Sequence, residues 1–179
     1  MRHRLLLLSL LALLPAACSS ASSGPPADAG SEKAAPSEAG ADAAPACNTL
    51  ANVATTVTTA QIAADPPALQ GGTIADGTYV LTSVAIDTGP AGPAGASGTD
   101  RVTIEVAGST IQEVSDGPPV TRTVTLTTSG SQFTATDTCP DTTVVQGTYS
   151  ATATTLVVAF GGGTDDAGAR TVVETFTKQ

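Results

Sequence analysis

The sequence predicts an all-β domain, an antiparallel meander of about eight strands closing into a barrel, with a two-sheet sandwich as second choice. Three observations lead there. From Thr78 to the C-terminus, short runs rich in Thr and Val recur, and both residues favour a pleated surface. Several runs alternate apolar and polar residues with period two. Gly- and Ser-containing turns short enough for hairpins separate them.

The expected strands are Thr78–Ile86, Arg101–Val106, Thr110–Val114, Val120–Thr128, Gln132–Thr138, Thr148–Ala153, Thr155–Phe160 and Thr171–Thr177. Val102, Ile104 and Val106 should face one way, Thr103 and Glu105 the other. Val124 and Leu126 oppose Thr123, Thr125 and Thr127. In the last strand Val172, Glu174 and Phe176 share one face and Val173 and Thr175 the other, so its inner face is ambiguous. Ala107-Gly108-Ser109, Ser129-Gly130-Ser131 and Gly161-Gly162-Gly163 supply turns.

Upstream the texture differs. Leu50, Val53, Val57 and Ile62 are compatible with helical spacing, but the β-branched Thr55 to Thr59 run opposes a long helix. A short helix or an irregular strap is expected over Cys47–Ile62. Gly89 to Gly98 places Gly at every third position, yet collagen needs many such triplets and three chains, so a flexible loop is expected. Thr164 to Gly168 puts two carboxylates at a hairpin tip. A calcium loop needs more oxygen ligands at fixed spacing, so this reads as a solvated turn, and no metal set is expected.

The N-terminus carries an address. Met1-Arg2-His3-Arg4 is basic, Leu5 to Leu14 is a short apolar core, and Pro15-Ala16-Ala17 precedes Cys18. This is the plan of an export signal. About ten apolar residues fall short of the roughly 20 that a spanning helix needs. Small residues before a Cys that follows a leucine run resemble the lipobox of bacterial lipoproteins. That resemblance implies cleavage after residue 17, lipid on Cys18, and a cell-envelope location. Ser19 in place of Asp implies the outer membrane. Two or three acyl chains anchor stably where one does not.

In residues 18–46, Cys18 is followed by Ala, Ser, Pro, Gly and acidic residues with one Lys, Lys33, and no Leu, Ile, Val or aromatic. Such a segment cannot bury enough apolar surface to offset its ordering entropy, so a disordered tether is expected, followed by the β domain over 47–179 with its strand core over about 72–179.

Composition excludes several function classes. Removing the signal leaves five basic residues against 16 acidic ones, a net charge of −11. Nucleic-acid binding needs a basic footprint, so it is not expected. His3 is the sole histidine and lies in the signal, and Trp is absent. Ser-His-Asp and Cys-His catalysis and His-based metal centres are thereby removed. An enzyme would need carboxylates, as a hydrolase of the glycosidase kind uses, or a Ser/Thr with a Lys, and the lysines are Lys33 in the tether and Lys178 near the C-terminus; Asp137 and Asp141 flank Cys139, and turn capping is the plainer role for both. No cofactor is expected.

Three cysteines occur. With Cys18 lipidated, Cys47 and Cys139 remain in an oxidising compartment, and a disulfide between them is expected.

Gly77-Thr78-Tyr79 opens the first clear strand and Gly147-Thr148-Tyr149 a late one. The chain closes Leu156–Phe160 then Val172–Lys178. This Gly-x-aromatic opening and strand–turn–strand close resemble lipocalin-like bacterial domains. The tether, Cys47 and the run GGTIADGTYVLTS also resemble lipoproteins of myxobacterial type, which implies no activity. The lipocalin resemblance implies an eight-stranded barrel, wide enough to be filled by side chains or to hold one small hydrophobic ligand. Tyr79, Phe133, Tyr149, Phe160 and Phe176 would line such a pocket or fill the core. A protein-interaction module of the envelope is the alternative.

Overall fold

A computed structural model describes residues 46–116, 119–165 and 168–179. The signal, Cys18 and the tether through residue 45 lie outside the described residues. So do residues 117–118 and the tip of the Thr164–Gly168 turn.

Every regular element among the described residues is a strand. They are β1 (Val57–Ile62), β2 (Gly77–Asp87), β3 (Gly95–Asp100), β4 (Val102–Ala107) and β5 (Thr110–Asp116). β6 (Pro119–Ser129), β7 (Gln132–Cys139), β8 (Val144–Ala151), β9 (Thr155–Asp165) and β10 (Gly168–Lys178) follow. β4 to β10 form an antiparallel meander, and β2 pairs with both β4 and β10. Eight strands therefore close into a barrel, as the Thr/Val alternation predicts.

Two corrections stand beside that agreement. Cys47–Ile62 holds no helix: a strap leads into β1. The Gly-rich stretch read as a loop is partly strand, because β3 pairs with β1. The cause is tertiary. β2 is long, and β4 pairs with it only over Gly77–Val80. Farther along, β1 occupies the gap, parallel to β2 over Val84–Asp87 and antiparallel to β3. β1 is thus a wedge in the barrel wall.

Register sets what faces inward. Tyr79 pairs with Ile104, Ile104 with Glu113, Glu113 with Arg122 and Val124 with Asp137. Phe133 pairs with Gly147, Tyr149 with Val158 and Glu174 with Val158. Directly opposed residues share a face, so this ring is the lumen. The β2 sequence slips phase between Leu81 and Val84, both buried. A bulge opposite Thr175/Phe176 absorbs the extra residue and returns Val84 to the inner face.

The β4–β5 and β6–β7 hairpins turn at one end of the barrel, called lower here, each through two residues. Their leading glycines, Gly108 and Gly130, have φ of 59° and 60°, as tight hairpins demand. Near this end lies the apolar core of Tyr79, Leu81, Ile104, Val106, Phe133, Tyr149, Leu156 and Phe176. Segment 71–75 crosses the lower mouth. Gly71 N donates to Tyr149 O, and Ala151 N donates to Gly71 O. The Tyr149 hydroxyl donates to Gly72 O at 2.8 Å and the Tyr79 hydroxyl to Ala75 O at 2.6 Å. Both buried phenols thereby satisfy their polar ends.

Residues 47–54 form a belt across the outer face of β7, β6, β5 and β4. Cys47 is disulfide-bonded to Cys139, closing a separation of 92 residues. Constraining the unfolded chain at that length stabilises by about 4–5 kcal/mol in the chain-entropy account. Cys47 N donates to Thr121 Oγ1, and Thr123 Oγ1 donates to Cys47 O. Asn48 Nδ2 donates to the Glu113 and Arg122 carbonyls. Thr103, outward-facing yet 0% exposed, lies under the belt, its hydroxyl accepting from Val53 N and Ala54 N and donating to Asn52 Oδ1.

Candidate functional site

The upper half of the lumen is charged. Glu113 on β5, Arg122 on β6, Asp137 on β7 and Glu174 on β10 all project inward by register. Arg122 Nη2 donates to both Glu113 oxygens at 2.9 and 2.8 Å. Arg122 Nη1 lies 3.8 Å from Asp137 Oδ2. The side chains of Glu113, Asp137 and Arg122 are 11%, 13% and 30% exposed, so the cluster is mostly withdrawn from solvent.

The electrostatics follow from that enclosure. Burial alone pulls the Arg122 guanidinium down, but Glu113 first, then Asp137 and Glu174, outweigh it and raise its pKa. Burial raises the Asp137 carboxyl, Arg122 opposes this, and Glu113 and Asp141 add to the rise. Arg122 thus faces three carboxylates, Glu113, Asp137 and Glu174, which together hold it charged. Chemically this suits holding a positive group in place. Asp141 lies beyond the end of β7, while Asp137 stands on it and faces the guanidinium.

Two open clefts lie at opposite ends. The lower one, about 350 Å³, is lined by Thr73, Ile74, Ser109, Leu126, Thr128 and Tyr149, with Gly72 and Gly108. The upper one, about 190 Å³, lies beside the Arg101–Asp116 ion pair and is lined also by Thr56, Thr99 and Asp100. Separately, Asp87 is 6% exposed, and its Oδ2 is buried with no hydrogen-bond partner among the described residues. Burial, and then Asp65, raises its pKa. Among the described residues no three His, Cys, Asp or Glu side chains are grouped to hold a metal ion.

The residues expected from sequence are distributed clearly. Tyr79, Phe133, Tyr149 and Phe176 are buried core, and Phe160 packs against them half-buried. They belong to the apolar core of the lumen, and Tyr149 also edges the lower cleft. Cys47 and Cys139 form the expected disulfide. Asp137 faces the lumen, and Asp141 lies near enough to affect its charge state. Sequence reasoning missed Glu113, Arg122 and Glu174. The signal was present: each stands in phase with inward apolar neighbours, Ile111, Val124 and Phe176, on a strand of period two.

No protein family matches the chain, and neither a curated protein nor a solved structure is detectably similar to it.

Proposed function

We propose that this is an exported envelope lipoprotein, anchored through lipid on Cys18 and set off from the outer membrane by residues 19–46, whose barrel is a structural module that meets partners with its outer surface. One observation carries the second half of that reading. The lumen is occupied by its own side chains: an aromatic and aliphatic core below and an ion-paired cluster above. An apolar carrier needs a concave, mostly apolar pocket, and a guanidinium bound to carboxylates is a poor lining for one. Sequence alone supports the anchor, through Leu5–Leu14 and the small residues before Cys18.

The test is intact mass of the protein extracted from membranes with detergent. A chain beginning at Cys18 with acyl groups added, one disulfide retained, and no stoichiometric co-purifying small molecule is the expected result. An unacylated chain overturns the anchor. A bound lipid in equal amount overturns the structural reading and favours ligand binding. The lower cleft is then the place to look, because its volume is of the few-hundred-Å³ size typical of ligand sites, with Ile74, Leu126 and Tyr149 among its lining.

A further inference from the structure

We propose that the Cys47–Cys139 bond is a mechanical stop, which passes a pull on the N-terminal tether directly into β7 and leaves the belt and the β1 wedge unloaded. The significance of such a stop rests on the tethered reading above, while its mechanics rest on the barrel alone.

The argument begins with the wall. β2 and β4 are paired only over Gly77–Val80, and from Val84 to Asp87 the strand beside β2 is β1. β1 has no covalent neighbour in the wall. Its chain arrives from the belt, and it is held between β2 and β3 by hydrogen bonds. Stripping β1 away would leave that stretch of β2 unpaired on one edge and part the wall between β2 and β3.

The belt is fastened in a way that invites stripping. Its attachments come in succession along the chain: Cys47 to Thr121 and Thr123, Asn48 to the Glu113 and Arg122 carbonyls, then Asn52 to the Arg101 carbonyl and Thr103. Arg101 adds bonds to Asn52 O and Ala54 O. A pull from the N-terminal side loads these in order, first Cys47, then Asn48, then Asn52. Each is an ordinary hydrogen bond with a net worth of about 1 kcal/mol, so a belt held by them alone would peel.

The disulfide sits at the first of these attachments. Every residue of the belt and of β1 lies on the far side of it from the tether. Tension entering at Cys47 leaves through the sulfurs to Cys139, in a strand whose neighbours are β6 and β8. The same bond farther along, at Ala54 for instance, would leave the belt exposed to the pull. Its position, and not only its existence, is what protects the wedge.

The experiment is single-molecule pulling of the chain from Ser19 to Gln179, held through peptide tags at its two ends. The wild type is compared with the Cys47→Ser/Cys139→Ser double variant. Where that variant does not fold, the folded wild type is reduced in place with a phosphine. Residues 47–62 stretched at roughly 3.3–3.6 Å each give about 55 Å of chain, and the belt alone about 30 Å. The disulfide-free protein is expected to show an early extension of up to about 30–55 Å before the barrel unfolds, and the oxidised protein none. Absence of the early step from the disulfide-free protein overturns the proposal. The oxidised protein reports on its own bond, since residues locked between the sulfurs cannot extend. Acylation of Cys18 is read by mass, so failure of the anchor and failure of the stop are distinguishable.

Discussion

Replacing Arg122 with Met is the sharpest test of the charged lumen. The substitution keeps much of the side chain's length and removes the guanidinium that Glu113 grips with both oxygens and that Asp137 and Glu174 also face. Removing one partner of a buried ion pair costs about 3–5 kcal/mol, because the remaining charge stays buried without compensation. The Arg122 side chain is 30% exposed, which lets water offset part of this, so we expect about 3 kcal/mol at pH 7. For a domain of this size that corresponds to a fall in Tm of roughly 10–15 °C. The loss must also depend on pH. Asp137 already has a raised pKa, and losing the cation that pulls it down raises it further. A carboxyl raised on folding takes up protons in the folded state, so the variant gains stability as pH falls through that raised value. Urea melts followed by circular dichroism at pH 7 and pH 5 measure both quantities. Adding Glu113→Leu to the Met variant should recover part of the loss, since it removes the uncompensated carboxylate. A loss below about 1 kcal/mol at pH 7, or an equal loss at both pH values, would refute the reasoning that these groups act as an enclosed cluster.

Two further perturbations test other parts of the structure. Asp87→Asn should raise stability at pH 7, because a buried carboxylate oxygen without a donor is replaced by a neutral group. The wild-type carboxyl is raised, so its protonated form is favoured on folding. The gap between the two proteins should therefore close in acid and open as pH rises through the raised value. A gap independent of pH would count against this account. Gly71→Ala should destabilise by about 2 kcal/mol or more, since φ is +77° and a Cβ there would overlap Gly130 O. Gly89→Ala is the control: φ is again +77°, but nothing lies within 4 Å, so only the backbone cost of about 1–2 kcal/mol applies. Equal losses at the two sites would mean that segment 71–75 is not seated tightly on the lower mouth.

The barrel strands were legible because alternation and β-branching agree in them. Val102, Ile104 and Val106 face the lumen as their spacing predicts, and so do Val124 and Leu126. β1 and β3 were not legible, for a physical reason. β3 reads Gly-Ala-Ser-Gly-Thr-Asp, with no large apolar side chain and no phase to detect. It is a strand only because the run leading into β4 is long enough to pair with β1 beyond the reach of β2. Local propensity carries no information about such a pairing. The charged cluster was illegible for the opposite reason. Its phase is present, but charged residues such as Glu113, Arg122 and Glu174 almost always face solvent, so period-two alternation alone does not point them inward. The last strand shows how close the reading came. Val172, Glu174 and Phe176 were recognised as one face, and only pairing with β2 and β9 determines that this face is the inner one.

Why this barrel contains charge at all follows from its composition. An eight-stranded lumen must be filled by whatever its strands carry inward. Here the chain has five aromatic residues and no Trp, and its strands are built largely of Thr and Val. Four aromatics are spent on the lower core with Leu81, Ile104 and Leu156. The volume above them falls to shorter apolar side chains such as Val84 and to the long Arg122. The Arg122 guanidinium brought inside requires carboxylates close by, and Glu113, Asp137 and Glu174 arrive from three different strands. Each pairing position is tied to the register of its strand, since a slip by one residue would turn that side chain outward. The cluster therefore contributes specificity of register where apolar packing is thin.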